Sequence, residues 1–285
     1  MKKSFLFISI LFLINNVYSQ SLLWKITGNG LKTPSYLYGT IHIQDKRVFS
    51  FDTTVTNAFN SCDAFAMEIL LSKVKPETLK KATIMKKGSL KELMSEDDYK
   101  LVAKVFHEKT GANILLYDKM KPFFLSSQIE QADMPKDMDE ALDLYFYKLA
   151  EKQGKSTFGV EKFEQQVAAI DKVSLKDQIK MLIDAVKDTS KDDFSDLLNA
   201  YLNFNLNKLM ELTSKDTTLP GNFAEAFLIN RNKVMAKSIK KLTKKHKIFV
   251  AVGAAHLPGD KGVIKLLRDY GFTVEPVKFK FNYKS

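Results

Sequence analysis

The sequence predicts an α/β protein: a mixed sheet built from two βαβ-like halves, with a large helical insertion and surrounding helices. Three observations predict it. Both ends of the chain run strand, turn, helix, strand. Each of these halves carries a Gly-x-x-His frame where an apolar, strand-like run finishes, and the text between the halves is helical over long stretches. The first frame closes Tyr36-Leu37-Tyr38-Gly39-Thr40-Ile41-His42; the second closes Val250-Ala251-Val252-Gly253-Ala254-Ala255-His256. They stand 214 positions apart, so only the fold can bring them together.

The elements follow in order. Lys2 and Lys3 precede an apolar run over residues 5–14, and a short polar stretch ends in Val17-Tyr18-Ser19. A charged start, a short apolar core and a small residue before the cut read as a secretory signal peptide over residues 1–19. The run is short for a bilayer span, which speaks against an uncleaved anchor. No Cys lies near the cut, which speaks against a lipoprotein. Residues 20–285 are then expected to form a single exported domain, periplasmic or secreted, with no stable membrane anchor after cleavage.

Residues 22–27 and 35–42 read as strands joined through the turn signal Gly28-Asn29-Gly30. Residues 51–61 have helical spacing, with Val55, Ala58 and Phe59 on one face and Asp52 or Thr53 placed to cap. Residues 63–71 form the next strand, ending near Glu68. From about 72 to 150 the text turns helical: Pro76 at a first turn, Ser95-Glu96-Asp97-Asp98 as a helix start, and apolar residues at helical intervals over 139–151. A strand over 155–161 and a helix over 163–170 follow. Residues 174–245 are helical again, broken near Leu219-Pro220-Gly221-Asn222. The strand 247–255, the helix 261–270 and the strand 272–279 complete the chain.

Composition excludes several functions. The formal charge is +11, but only three residues are arginine, Arg47, Arg231 and Arg268, and the lysines are scattered along helical faces. Arginine is the usual reader of bases and phosphates, so a solvated lysine surface is expected and no nucleic-acid partner. Cys62 is the only cysteine; it precedes a buried-looking strand and reads as a small core residue. No Gly-x-Ser-x-Gly elbow and no His-Glu-x-x-His helix occurs. His107 and His246 stand beside lysines or in helix-like text and read as solvated.

Four side chains stand at or just beyond strand ends: His42, Glu68, Glu161 and His256. Two imidazoles and two carboxylates suit a divalent metal such as Zn, Mn or Co. A bound metal can acidify its water and polarise a carbonyl, and one glutamate could instead stay off the metal as general base. Gly39 and Gly253 would permit close approach beside the site. Each residue alone has a bland reading: a hydrogen-bonded or turn histidine, a surface acid, a first-turn acid of a helix. Two matching histidine frames together with acids at two further strand ends favour one shared site.

The chain resembles the TraB/GumN proteins, related to the Tiki family of Wnt-cleaving metalloproteases. The resemblance runs over about residues 22–277. It is carried by Leu37-Tyr38-Gly39-Thr40-Ile41-His42 with Ala66-Met67-Glu68, by Phe158-Gly159-Val160-Glu161-Lys162-Phe163-Glu164-Gln165, by Asn230-Arg231-Asn232 with Met235-Ala236, and by Val252-Gly253-Ala254-Ala255-His256-Leu257-Pro258-Gly259 with Gly262. Val160 stands where the family pattern has leucine. The resemblance implies a metal-dependent hydrolase fold and a peptide or protein substrate. It implies metal or catalytic roles for His42, Glu68, Glu161 and His256. It also matches Arg231 to a family arginine near the site, where a guanidinium could orient a glutamate or hold a substrate carboxylate or oxyanion; a surface salt bridge is the competing expectation. Glu164 and Gln165 are candidates for the layer behind these residues.

The reading is an exported metal-dependent hydrolase, a peptidase, using metal-activated water at a His/Glu site on strand ends. The alternative is a non-catalytic periplasmic binding protein for a peptide, metal or haem, and a third, a structural module, would need no metal. The sequence leaves open the substrate, the metal, the oligomeric state and which glutamate is base or ligand.

Overall fold

The computed structural model describes residues 20–187, 192–214 and 225–283. The expected signal peptide and the helix break at 219–222 lie outside the described residues. Six strands form one mixed sheet: β1 (Leu23–Gly28), β2 (Ser35–Thr40), β3 (Ala64–Met67), β4 (Ser156–Gly159), β5 (Ile248–Gly253) and β6 (Phe272–Val277), in the order β4-β3-β5-β2-β1-β6. β1 runs antiparallel to both neighbours, and β2, β3, β4 and β5 pair in parallel. The expected opening hairpin is present, with Leu23 opposite Tyr38, and its turn takes positive φ at Gly28, Asn29 and Gly30. The α/β mixed sheet predicted from the sequence is the fold observed.

The helices are α1 (Thr53–Asn60), α2 (Pro76–Thr83), α3 (Leu90–Leu93), α4 (Glu96–Thr110), α5 (Pro122–Ala132), α6 (Leu142–Lys152), α7 (Phe163–Ile170), α8 (Leu175–Lys187), α9 (Asp192–Leu202), α10 (Leu206–Ser214), α11 (Asn230–Thr243) and α12 (Val263–Asp269). Asp52 caps α1 by accepting from the Thr54 amide, and Ser95 caps α4 through the Asp98 amide. Among the described residues, no helix is long and apolar enough to cross a membrane.

The connections decide where a ligand can enter. From β2 the chain passes through α1 to β3, stepping over β5 towards one edge of the sheet. From β5 it passes through α12 to β6, stepping over β2 and β1 towards the other edge. Right-handed crossovers that leave in opposite directions put their helices on opposite faces, which opens a crevice between the carboxyl ends of the two adjacent starting strands. Those strands are β2 and β5, paired with Thr40 opposite Gly253. The two Gly-x-x-His frames therefore end side by side at the switch point of the sheet.

The central strands are buried throughout: Ile248, Phe249, Val250, Ala251 and Val252 of β5 are each at most 1% exposed. That is why β5 reads as a continuous apolar run rather than an alternating one. The helices between β3 and β4 divide their allegiance. Leu90, Val102, Phe106, Leu125 and Ile129 of α3, α4 and α5 build a second core together with Ile179, Leu182 and Val186 of α8, which comes after β4 in sequence. α6 packs on the sheet, through Leu142, Phe146 and Ala150 spaced four apart on one helical face. The Phe146 ring lies 5.3 to 5.6 Å from Tyr38, Phe51, Phe59 and Phe249.

Phe146→Ala should therefore remove about 3–5 kcal/mol of stability, the usual cost of deleting a fully buried aromatic ring. Urea unfolding of the two proteins measures it; a loss below about 1 kcal/mol would mean that α6 is not part of the sheet core.

Candidate functional site

Four parallel strands, β4, β3, β5 and β2, lie side by side and deliver their carboxyl ends to one edge of the sheet. Just beyond those ends stand, in the same spatial order, Glu161, Glu68, His256 and His42. Neighbouring strands are about 4.8 Å apart, so the row from Glu161 to His42 spans about 14 Å at the backbone. The sequence motifs thus form a line along the sheet edge, with His256 flanked by Glu68 on one side and His42 on the other.

Glu68 is 9% exposed and is held from several directions. Its Oε1 accepts from the Gly253 amide at 2.8 Å and lies 3.8 Å from His256 Nε2. Its Oε2 accepts from Arg231 Nη2 at 2.5 Å and from Gln166 Nε2 at 3.2 Å. A Cβ on Gly253 would come 3.2 Å from that Oε1, so a glycine keeps the carboxylate close to the β5 end. Burial alone would raise the Glu68 carboxyl. His256, Arg231 and His42 around it and the Gly253 amide overcome burial and hold it at about 2.

Glu161 is 6% exposed and faces the same guanidinium. Arg231 Nε donates to its Oε2 at 2.9 Å and Oε1 at 3.2 Å, and Nη2 donates to Oε2 at 2.7 Å. Burial raises the Glu161 carboxyl, partly offset by Arg231. Arg231 completes its contacts through Nη1 to the Phe227 carbonyl at 3.3 Å, one turn back in the π-helical segment Glu225–Ile229 that leads into α11. The competing expectation of a surface salt bridge fails, because the Arg231 side chain is only 12% exposed and bridges two buried carboxylates. Of the roles considered for it, orienting glutamates is the one with geometry behind it.

His256 sits in a short 3-10 turn directly after β5 and is 5% exposed. Its Nδ1 is 2.7 Å from Asn232 Oδ1. Burial lowers its pKa to about 4, with Arg231 and His42 adding to the effect and Glu68 opposing it. It is thus neutral at physiological pH, and the permanent positive charge beside Glu68 is Arg231. His42 lies two residues past β2 with 58% of its side chain exposed, and its Nδ1 is 3.0 Å from Asp143 Oδ1 at the start of α6. Desolvation works against the His42 proton, but the Asp143 carboxylate outweighs it and lifts the pKa to about 9; solvent at the open side of the ring screens part of that effect.

The glycine of the first frame has a packing reason. A Cβ on Gly39 would fall 2.8 Å from Leu257 Cδ1 and 3.1 Å from Ala254 Cα, so the two frames could not lie this close with any other residue there. The carbonyl of Gly39 also accepts from the buried Tyr201 hydroxyl at 2.8 Å.

The donors fit a divalent cation in part. His42 and His256 each have Nδ1 against a side-chain oxygen, which leaves both Nε2 edges over, and Glu68 Oε1 lies beside the His256 edge. Glu161, expected as a fourth ligand or a base, has both oxygens on Arg231 and stands at the far end of the row. Among the described residues, no three His, Cys, Asp or Glu side chains converge closely enough to cage an ion as they stand. Arg231 instead supplies the positive charge between the two glutamates.

Three residues behind the site were not assigned from the sequence: Asn232, Asp143 and Gln166. Asn232 had a signal, since it is a polar residue in the buried stripe 232, 235, 236, 239 of α11. Of the two candidates singled out for that layer, Glu164 is exposed, and Gln165 caps α7 by accepting from the Lys162 amide at 2.8 Å; the next residue, Gln166, is the one that reaches Glu68. Cys62 is 3% exposed with its thiol pushed up to about 11, as a core residue should be.

Fold and site together define an α/β protein with a buried Glu-Arg-Glu cluster and two histidines at the switch point of its sheet. The chain belongs to the TraB/PrgY/gumN family, whose sequence pattern matches residues 22–276. Among curated proteins it is similar to metalloprotease TIKI2 of Xenopus tropicalis, 22% identical over 90% of this chain and 59% of that protein. It is similar to metalloprotease TIKI1 of Danio rerio, 24% identical over 90% and 63%. It also matches the metalloprotease TIKI homolog of Amphimedon queenslandica, 22% identical over 91% and 62%. The chain spans about three-fifths of the length of these relatives. No solved structure is significantly similar to it.

Replacing Arg231 by Leu, in the presence of a chelator, should cost about 3–5 kcal/mol, because two buried carboxylates lose their counter-charge. The deficit should depend on pH. Without Arg231 the folded-state pKa of Glu68 rises above its unfolded value and that of Glu161, already raised, rises further, so the variant is most stable below about 4.3 and loses stability as pH rises. The gap to the parent is then widest near neutrality and narrows towards pH 4. Thermal unfolding across pH measures it, and a deficit independent of pH would contradict this electrostatic origin.

Proposed function

We propose that this protein is an exported metal-dependent hydrolase acting on peptide bonds. The observation that carries the proposal is the alignment of His42, His256 and Glu68 at the switch point of the sheet, with both Nδ1 atoms engaged and both Nε2 edges left over. Its relatives named metalloproteases support the same chemistry. His42, His256 and Glu68 would have to draw together to hold the ion, with Mn, Co or Zn each compatible with nitrogen and oxygen donors. A divalent ion there would supply Lewis acidity towards a carbonyl and a more acidic water. The chain's own residues do the rest. Arg231 pins Glu68 through Oε2 and leaves Oε1 facing His256. Glu161 anchors Arg231 and would stay off the ion. Asp143 and Asn232 orient the rings. Export is supported by the Lys2-Lys3 start, the apolar run over 5–14 and Ser19.

Purified protein should cleave members of a peptide library only with metal present. Chelation should abolish cleavage, and Mn, Co or Zn should restore it. His256→Ala and His42→Ala should lose the ion along with activity. Glu161→Gln should keep the ion while losing about 10–100-fold in activity, the usual effect of disturbing an outer partner. Metal uptake should strengthen as pH rises through the raised His42 pKa and level off above it, because a bound ion would displace the His42 proton. Hydrolysis persisting with metal confirmed absent would refute the proposal. Metal uptake with no cleavage of any peptide would leave a binding protein instead.

N-terminal sequencing of protein from its native host should begin at Gln20, outside the cytoplasm. An intact Met1 on a cytoplasmic protein would overturn export.

A further inference from the structure

We propose that Asn232 is a positioning residue that fixes which ring nitrogen of His256 carries the proton, so that the imidazole presents a bare Nε2 towards Glu68. The functional consequence rests on the metal reading above; the geometry does not.

Asn232 is 4% exposed, on the face of α11 that buries Met235, Ala236 and Ile239. A polar side chain there must find partners for both ends. Its Nδ2 donates to the Lys261 carbonyl at 2.9 Å. A carbonyl oxygen only accepts, so the NH2 end must face Lys261 and the Oδ1 end must face His256. Oδ1 can likewise only accept, so the 2.7 Å contact with His256 Nδ1 requires a proton on Nδ1. Neutral imidazole has one N–H, which leaves Nε2 with its lone pair.

The Lys261 carbonyl that sets this chain of choices is itself fixed. The Gly262 amide donates to the Gly259 carbonyl at 3.0 Å, and a Cβ on Gly262 would fall 2.0 Å from the Pro258 carbonyl oxygen. The turn after His256 therefore admits only glycine there. A second observation agrees. His256 Nε2 stands 3.8 Å from Glu68 Oε1, too far for a hydrogen bond, as expected when two lone pairs face each other. Histidine in water prefers the opposite tautomer, with the proton on Nε2, so the protein imposes this one. An ion held between His256 and Glu68 needs the lone pair on Nε2, and a partner on the other nitrogen is the usual way to secure it.

The test is the tautomer itself, read by long-range proton–nitrogen correlation NMR on metal-free protein with 15N-labelled histidine at neutral pH, with the His256 signals assigned through His256→Ala. The expected result is a protonated Nδ1 and a bare Nε2. In Asn232→Leu, which removes the acceptor, the proton should move to Nε2, and the affinity for Zn or Mn by calorimetry should fall about 10–100-fold. Asn232→Asp, which keeps an acceptor, should retain the Nδ1 proton. A proton on Nε2 in the parent protein overturns the proposal without any variant, and so does an unchanged tautomer in folded Asn232→Leu. A protonated Nδ1 in a protein that binds no ion would sustain the positioning role and count against the metal reading alone.

Discussion

Two buried carboxylates at neighbouring strand ends set the terms for the whole carboxyl edge of the sheet. Glu68 and Glu161 follow adjacent parallel strands, and the Glu161 amide donates to the Glu68 carbonyl, so the backbone itself keeps them close. Like charges this near cannot both ionise in a poorly solvated place without a cation. Arg231 is that cation. Its planar fork donates to both carboxylates at once, which the single point charge of a lysine could not reproduce. Because Arg231 rides on α11, the cluster also ties that helix to β3 and β4, and it places Asn232, the next residue, against His256.

The connectivity explains why the histidines meet where they do. β2 and β5 are neighbours whose chains leave towards opposite edges of the sheet, and such a point leaves an opening above the strand ends. Close approach of the two frames depends on Gly39, whose missing side chain makes room for Leu257 and Ala254. The row of site residues is graded in exposure. At the Glu161 end the Glu161 and Arg231 side chains are buried and paired, whereas at the His42 end more than half the side chain is open to solvent. The two histidines are accordingly pushed apart in basicity: His256 down by burial, His42 up by Asp143. One imidazole is thus biased towards its neutral form and the other towards its protonated form within one row of residues.

Much of this was legible in the sequence because it is local. The strand at 248–253 shows as an unbroken apolar run, α7 shows as a helical period bounded by polar residues, and Asp52 and Ser95 are capping residues in their usual places. The site row was legible as well, since a side chain just past a strand end keeps that position whatever the rest of the fold does. The helical middle was harder. Periodicity marks helices but not their partners: α6 covers the sheet, whereas α5 builds a separate core with α8, which lies beyond β4. The Gln165–Gln166 pair shows the same limit at the scale of one residue, because only the helix phase decides which glutamine turns towards Glu68.

By itself the sequence determined the α/β class, the two Gly-x-x-His frames and the identity of the four residues past the strand ends, because each is written in spacing or residue type along one element; Arg231 entered through the family resemblance. Tertiary structure alone decided the order of the strands, and therefore that Glu161 and His42 lie at opposite ends of the row rather than around one point. It also decided that Arg231 lies between the two glutamates, that Asp143 and Asn232 stand behind the histidines, and that Gln166 rather than Gln165 reaches Glu68. Those are contacts between elements 24 to 163 residues apart. Strand order and helix packing, which no local period encodes, are the physical source of all of them.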